Sequence, residues 1–238
     1  MSWAEGVAGE LMVAEDVAAA FADAMEVAYA RRSGRAFNVA LSGGSTAAAC
    51  YAELERRFGS ASIDWSNVNL LWGDERCVPL TDEASNYRLA SHAMPRILSA
   101  AASVLPMVKG EGATPCGQGA VEAYGETVAS LGGLDVVHLG VGPDGHTASL
   151  FPGSQALELP DSQLVANNSD PRANNPLPRM TLTFSGIRQA KLVVLTVAGA
   201  SKANALAAIK DGADLPASRV QGGQVLWIVD HQAAPWAA

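Results

Sequence analysis

Short, continuous apolar runs alternate along this chain with stretches of helical spacing. Phe37-Asn38-Val39-Ala40-Leu41 is such a run, closed by Gly43-Gly44, and it predicts a buried strand. Val68–Trp72, Asp135–Val141, Arg179–Phe184, Lys191–Val197 and Val225–Val229 read the same way, and Val104–Val108 is a weaker case. Between them, residues 8–32 place Val17, Phe21, Ala24 and Ala28 on one helical face, with Gly34 as a stop. Ala47–Phe58 predicts a second helix, and Ser85–Ala101 a third that Pro95 kinks or splits. Val121, Tyr124, Val128 and Leu131 mark another helical face, closed by Gly132-Gly133. Ser201 is the expected cap of a helix running to about Lys210, with Gly212 after it.

Strands that are apolar throughout, rather than at alternate positions, are buried on both faces. Their alternation with helices predicts an α/β fold, Rossmann-like, with a mostly parallel sheet and helices on both faces. Ligands of such folds sit beyond the carboxyl ends of the strands. Pro152–Pro178 holds five of the twelve prolines and many Asn, Asp and Ser residues. It predicts a long loop near the site rather than a linker, because strands resume after it. No internal repeat is present, so residues 1–238 are expected to form a single domain.

Composition narrows the function. At 49% hydrophobic and 17% charged residues the chain is an ordinary globular protein. A net charge of −8 argues against nucleic acid and anionic membrane surfaces as partners, so an anionic substrate needs a local cluster of Arg and Lys. No apolar run is long enough to span a bilayer. The N-terminal stretch carries Glu5, Glu10, Glu15 and Asp16 instead of the basic start of a secretory signal, which leaves the cytoplasm as the expected location. Cys50, Cys77 and Cys116 are odd in number and form no C-x-x-C pair; reduced thiols are expected, with neither a disulfide framework nor a zinc site.

Several segments hold candidate chemistry. Ser42-Gly43-Gly44-Ser45-Thr46 follows a strand and opens a helix, where free backbone N–H groups and the positive end of the helix dipole suit a phosphate. A plain capped turn explains the same residues equally well. Asp74-Glu75-Arg76 crowds the end of the next strand. Arg76 suits a phosphate or carboxylate, and a structural salt-bridge cluster is the alternative. Gly140-Val141-Gly142-Pro143-Asp144-Gly145 matches G-x-G-x-x-G, but only a short helix fits between His146 and Pro152, too little for a dinucleotide crossover. His146 at the start of that helix is expected to stay neutral, as a general base requires. Asp144 either orients the ring or opposes that shift. His138 reads as a hydrogen-bonded core residue, and His92 and His231 as peripheral. Lys202, in the first turn of the last helix, works against the helix dipole and so suggests anion binding.

Taken together these segments resemble the 6-phosphogluconolactonase family, a relative of the glucosamine-6-phosphate deaminases. The similar pieces are Leu41–Thr46, Asp74–Pro79 with Ser85-Asn86, Gly140–Gly153, Arg179–Thr183, Lys202–Leu206 and Val225–Asp230. They span nearly the whole chain. Ala47 departs from the family, which often has Pro there. The resemblance implies hydrolysis of 6-phospho-D-glucono-1,5-lactone to 6-phospho-D-gluconate in the oxidative pentose phosphate pathway, without cofactor or catalytic metal. It implies that Ser42, Gly43, Gly44, Ser45, Arg179 and Lys202 cradle the phosphate, with Arg76 lining the pocket. Asp74 positions hydroxyls or supports Arg76, and His146 activates the water. Backbone N–H groups around Gly142, Asp144 and Gly145, or a nearby Arg, are the candidates for stabilising the oxyanion. The expected partner is the small sugar phosphate alone, with the chain a monomer or weak homo-oligomer. The rival enzyme is a glucosamine-6-phosphate deaminase, which carries a carboxylate where this chain has Phe151 and a Tyr where it has Arg76. The rival from another class is a non-catalytic sugar-phosphate-binding module, for which the chain leaves no room for an output domain.

Overall fold

The computed structural model describes residues 3–34, 36–60, 62–108 and 116–237. In chain order the elements are β1 (Glu10–Val13), α1 (Val17–Ala30), β2 (Phe37–Leu41), α2 (Ser45–Arg56), β3 (Val68–Trp72), β4 (Asp74–Arg76), α3 (Asn86–Ala93) and α4 (Pro95–Ala100). They continue with β5 (Ser103–Val104), α5 (Gln118–Ser130), β6 (Leu134–Leu139), β7 (Val165–Asn168), β8 (Arg179–Leu182), α6 (Phe184–Arg188), β9 (Ala190–Val197), α7 (Ala203–Lys210) and β10 (Gln224–Val229).

Seven strands form one sheet in the order β1-β10-β9-β6-β2-β3-β5, and every pairing in it is parallel. Every residue of the central strands β2 and β6 is buried, which is why their sequences run apolar without alternation. From β2 the chain steps to β3 and β5 on one side; from β6 it steps to β9 and β10 on the other. Right-handed crossovers therefore place helices on both faces. A second sheet, β4-β8-β7, is antiparallel and is tied to the first where Leu182 N–H donates to Gly73 O at 2.7 Å.

Several expectations need correction. Residues 8–32 are not one helix: β1 forms first as an edge strand, and Asp16 then caps α1 by accepting from Ala19 N–H at 3.0 Å. One expectation holds here: Pro95 splits the third helix into α3 and α4, because a proline at the first turn starts a helix more readily than it continues one. The weak strand at Val104–Val108 shrinks to Ser103–Val104. Arg179–Phe184 contributes β8 to the small sheet, not the large one, and the Pro152–Pro178 stretch contains β7. Ser201 is exposed and caps nothing. Gly199, at φ 91°, opens a 3-10 turn over Ala200–Lys202, and Lys202 itself occupies the cap position of α7. Cys77 and Cys116 are not free thiols but a disulfide with Cα atoms 5.5 Å apart, while Cys50 is buried and free. Burial pushes the Cys50 thiol up to about 12, so it is inert near neutrality.

Candidate active site

The ends of β3, β2, β6 and β9, neighbours in the sheet, deliver the candidate residues to one place. The strand order reverses between β2 and β6, the position at which open α/β sheets leave a crevice.

Beyond β2, Ser42 is fixed from beneath. The Tyr51 hydroxyl accepts its N–H at 2.6 Å, and lies 3.0 Å from its carbonyl and 3.1 Å from His138 Nδ1. His138 Nε2 is 2.8 Å from Thr196 Oγ1, so both ring nitrogens of this histidine are engaged in the core. A side chain on Gly43 would collide with the Asn86 amide. Gly44, at φ 91°, starts α2 with no side-chain cap. The first-turn N–H groups of a 12-residue helix thus have no side-chain cap and remain available to an anion.

Beyond β3, Glu75 is structural. Its buried carboxylate accepts from the N–H groups of Arg76, Asn86 and Tyr87 and from Ser85 Oγ, at 2.7–3.0 Å, fixing the start of α3. Burial raises its pKa, and the backbone donors partly offset this. Asp74 is buried and accepts from Ser149 Oγ at 2.6 Å. Arg76 donates to Ala84 O at 2.8 Å and to Asn86 Oδ1 at 2.6 Å. In the β4–β8 pairing Arg76 lies directly opposite Arg179, a like-charge pair that is unfavourable unless something anionic joins it. Arg179 Nη1 is 3.6 Å from Asp74 Oδ2 and 3.4 Å from Ser149 Oγ. Burial lowers the Arg179 pKa; the Asp74 charge opposes that and the Arg76 charge adds to it. The Nε atoms of both arginines are buried with no partner among the described residues.

Beyond β6, His146 does not start a helix. Gly145 at φ 81° and Ala148 at φ 47° are left-handed, so the chain turns instead of coiling, and a helix dipole is not what governs this ring. Asp144 does. Its Oδ1 lies 2.5 Å from His146 Nδ1 and also accepts the His146 N–H at 3.2 Å. A carboxylate only accepts, so Nδ1 carries the proton and Nε2 is left as the nitrogen with the lone pair. Gly142 must be glycine, since a Cβ there would overlap the His146 ring. The oxyanion expectation narrows at this point. Gly142 N–H donates to His146 O at 2.8 Å and Gly145 N–H to Gly142 O at 2.9 Å, so those donors are already spent within the loop. Pro143 has no N–H, which leaves that of Asp144 among the loop amides. Phe151 lies between the two halves of the site, 5.0 Å from the His146 ring and 5.6 Å from the Arg179 guanidinium.

Beyond β9, Lys202 is half-buried. Burial lowers its pKa, while the negative charge of Asp144 opposes the shift. Ser149 and Asn86 lie in segments that carry the family resemblance, but the sequence assigns them no role; Asn175 belongs to no motif. Asn175 Oδ1 accepts from Arg179 Nη2 at 3.4 Å. Among the described residues no group of His, Cys, Asp and Glu is arranged to hold a metal, and no helix is long and apolar enough to cross a membrane.

Fold and site together define a doubly wound α/β protein with a cationic pocket beside an Asp–His pair. Residues 9–227 match the family described as glucosamine-6-phosphate isomerases/6-phosphogluconolactonase, and the chain belongs to that family. The 6-phosphogluconolactonase of Rhizobium meliloti is 38% identical over 190 residues, 75% of this chain and 77% of that one. That of Synechocystis is 34% identical over 209 residues, 82% of each. Among solved structures, the 6-phosphogluconolactonase of Trypanosoma brucei has a TM-score of 0.82 at 29% identity, covering 98% of this chain and 100% of that one. A monomeric glucosamine-6-phosphate deaminase shares the fold, with a TM-score of 0.77 at 20% identity over 95% of this chain and 99% of that one.

Proposed function

We propose that this chain is the lactonase of its family, hydrolysing 6-phospho-D-glucono-1,5-lactone to 6-phospho-D-gluconate in the oxidative pentose phosphate pathway. The observation that carries the chemistry is the Asp144–His146 contact at 2.5 Å, which leaves Nε2 free to take a proton. His146 removes a proton from water as the water oxygen attacks the lactone carbonyl carbon. The tetrahedral oxyanion forms near Asp144 N–H. Its collapse breaks the bond to the ring oxygen, which takes the proton back from His146. Asp144 stabilises the imidazolium in between.

Phosphate recognition falls to the uncapped start of α2 (Gly43, Gly44, Ser45, after Ser42), with Arg76, Arg179 and Lys202. A phosphate dianion relieves the repulsion between the two facing arginines and supplies acceptors for their unpartnered Nε atoms. Asp74, bonded to Ser149, anchors Arg179. Phe151 speaks for the lactonase over the deaminase, because a phenyl ring carries no proton for isomerisation.

Residues 1–238 act as one domain in this proposal, in the cytoplasm, as a monomer or weak homo-oligomer. The Cys77–Cys116 bridge is at odds with a reducing compartment. Thiol titration of freshly extracted protein, denatured without reductant, tests that point: three reactive cysteines support the cytoplasm, and one supports an oxidising site. The substrate assignment is tested by offering wild type both the freshly generated lactone and glucosamine 6-phosphate. Turnover of the lactone above its spontaneous rate, with no ammonia from the amino sugar, is expected. The reverse pattern makes the protein a deaminase.

A further inference from the structure

Asp170 lies in the stretch before β8, outside every motif in the sequence, and it is buried. Its Oδ1 accepts Arg172 N–H at 2.8 Å, and its Oδ2 accepts both the backbone N–H of Asn175 at 3.0 Å and the Asn175 side-chain amide at 2.9 Å. Its carbonyl accepts Ala173 N–H at 3.0 Å, closing a turn in which Ala173 takes φ 55°. One carboxylate thus folds the loop around itself. The Asn175 amide, with its nitrogen held by Asp170, turns its oxygen to Arg179 Nη2.

Arg179 needs such a hold. It faces Arg76 across the strand pair, and its other polar contacts among the described residues, Asp74 and Ser149, lie at Nη1. Without a partner at Nη2, repulsion from Arg76 would favour rotamers turned away from the pocket. We propose that Asp170 is a positioning residue for the anion pocket, folding its loop so that Asn175 holds the Arg179 guanidinium in place beside Arg76. This rests on the reading of the arginine pair as the phosphate site. Burial works against the Asp170 charge, but the bonds from Asn175 and Arg172 outweigh it and hold the carboxyl below its ordinary range. Asp170 is therefore an ionised acceptor at neutral pH, and bonds to an ionised acceptor are the stronger kind. Holding a binding group in its bound geometry beforehand lowers the cost of binding.

The test compares wild type, Asn175→Ala, Asp170→Asn and the double variant. Three quantities are read: KM and kcat for the lactone, and the dissociation constant for inorganic phosphate by calorimetry. Asn175→Ala leaves three of the four bonds of the turn in place and so isolates the contact to Arg179. It is expected to raise KM and the phosphate constant about five- to tenfold, the worth of one ordinary hydrogen bond, as suits a contact as long as 3.4 Å, with kcat within about twofold. Asp170→Asn is expected to do at least as much. The double variant should be no worse than Asp170→Asn, because both act through one contact. Unchanged phosphate binding in Asn175→Ala overturns the proposal, as do losses that simply add in the double variant. A purely structural Asp170 lowers Tm but leaves KM and phosphate binding at wild-type values, which also overturns it. Phosphate binding that follows the expected pattern in a protein without lactone turnover removes the lactonase reading and keeps the positioning role. A wild type that binds no phosphate removes both.

Discussion

The interior of β6 and the loop beyond its end each hold a histidine, and the two have opposite fates. His138 is fully buried, bonded at both ring nitrogens, and stacked on Phe21 with ring centroids 4.1 Å apart. Burial pulls its pKa down to about 3, so it is neutral at physiological pH. His146 is bonded at Nδ1 by Asp144, and its side chain keeps 17% of its exposure at the mouth of the crevice. A histidine with both nitrogens saturated is a polar strut. One with a single nitrogen fixed and the other presented to substrate is a reagent. The difference comes from where the strand ends, not from residue type.

The comparison can be broken at the strut. His138→Ala removes a buried ring and leaves Tyr51 and Thr196 without their partner, so it should cost about 3 kcal/mol of stability by urea unfolding, with KM and kcat of the folded fraction preserved. Loss of turnover without loss of stability would erase the distinction between the two histidines. The next largest effect is at the reagent's support. Asp144→Asn removes the charge that fixes the tautomer and stabilises the imidazolium, and should lower kcat about 10²-fold, roughly 2.7 kcal/mol. Its Tm should move little; a kcat within twofold of wild type would mean that Asp144 does not orient the base.

The smallest effect is a slope. Unfolded, His138 takes up a proton below about pH 6.5; folded, it refuses one until about pH 3. Between those limits the unfolded state binds more protons, so stability falls as pH drops, by up to about 1.4 kcal/mol per unit. Glu53, held down to about 2 by Arg56 and Arg57, adds a loss in the same direction once the pH reaches the ordinary carboxylate range. Urea unfolding at pH 7, 6 and 5 therefore isolates the histidine, and His138→Gln should flatten the slope. An unchanged slope in that variant would show that His138 is protonated in the folded protein.

Much of this was legible in the sequence, for physical reasons. β2, β6, β9 and β10 were readable because burial on both faces demands unbroken apolar runs. β1 was not, since Glu10-Leu11-Met12-Val13 is a part-exposed edge that runs into an Ala-rich helix, where four residues cannot separate the two periods. β4 and β7 are short and polar, and backbone pairing leaves no compositional trace. The Gly-rich turn, Asp74, Arg76, Asp144, His146, Arg179 and Lys202 all lie at strand ends, where position and residue type agree. Asn175 and Asp170 act through bonds within an irregular loop that no local spacing announces, and Ser149 and Asn86, though inside quoted segments, act through bonds to Asp74 and Arg76 that only the tertiary fold makes. The left-handed Gly145 and Ala148 that replace the expected helix at His146, and the Cys77–Cys116 bridge across 39 residues, are likewise tertiary facts.

The most direct test of the central claim is the rate of His146→Ala on lactone generated in place from glucose 6-phosphate. Product is followed through 6-phosphogluconate dehydrogenase, the spontaneous rate is subtracted, and binding of inorganic phosphate is measured on the same protein. The account predicts a kcat lower by about 10²–10⁴-fold, roughly 3–5 kcal/mol, with phosphate bound as in wild type. A His146→Ala enzyme that turns over at the wild-type rate would contradict it.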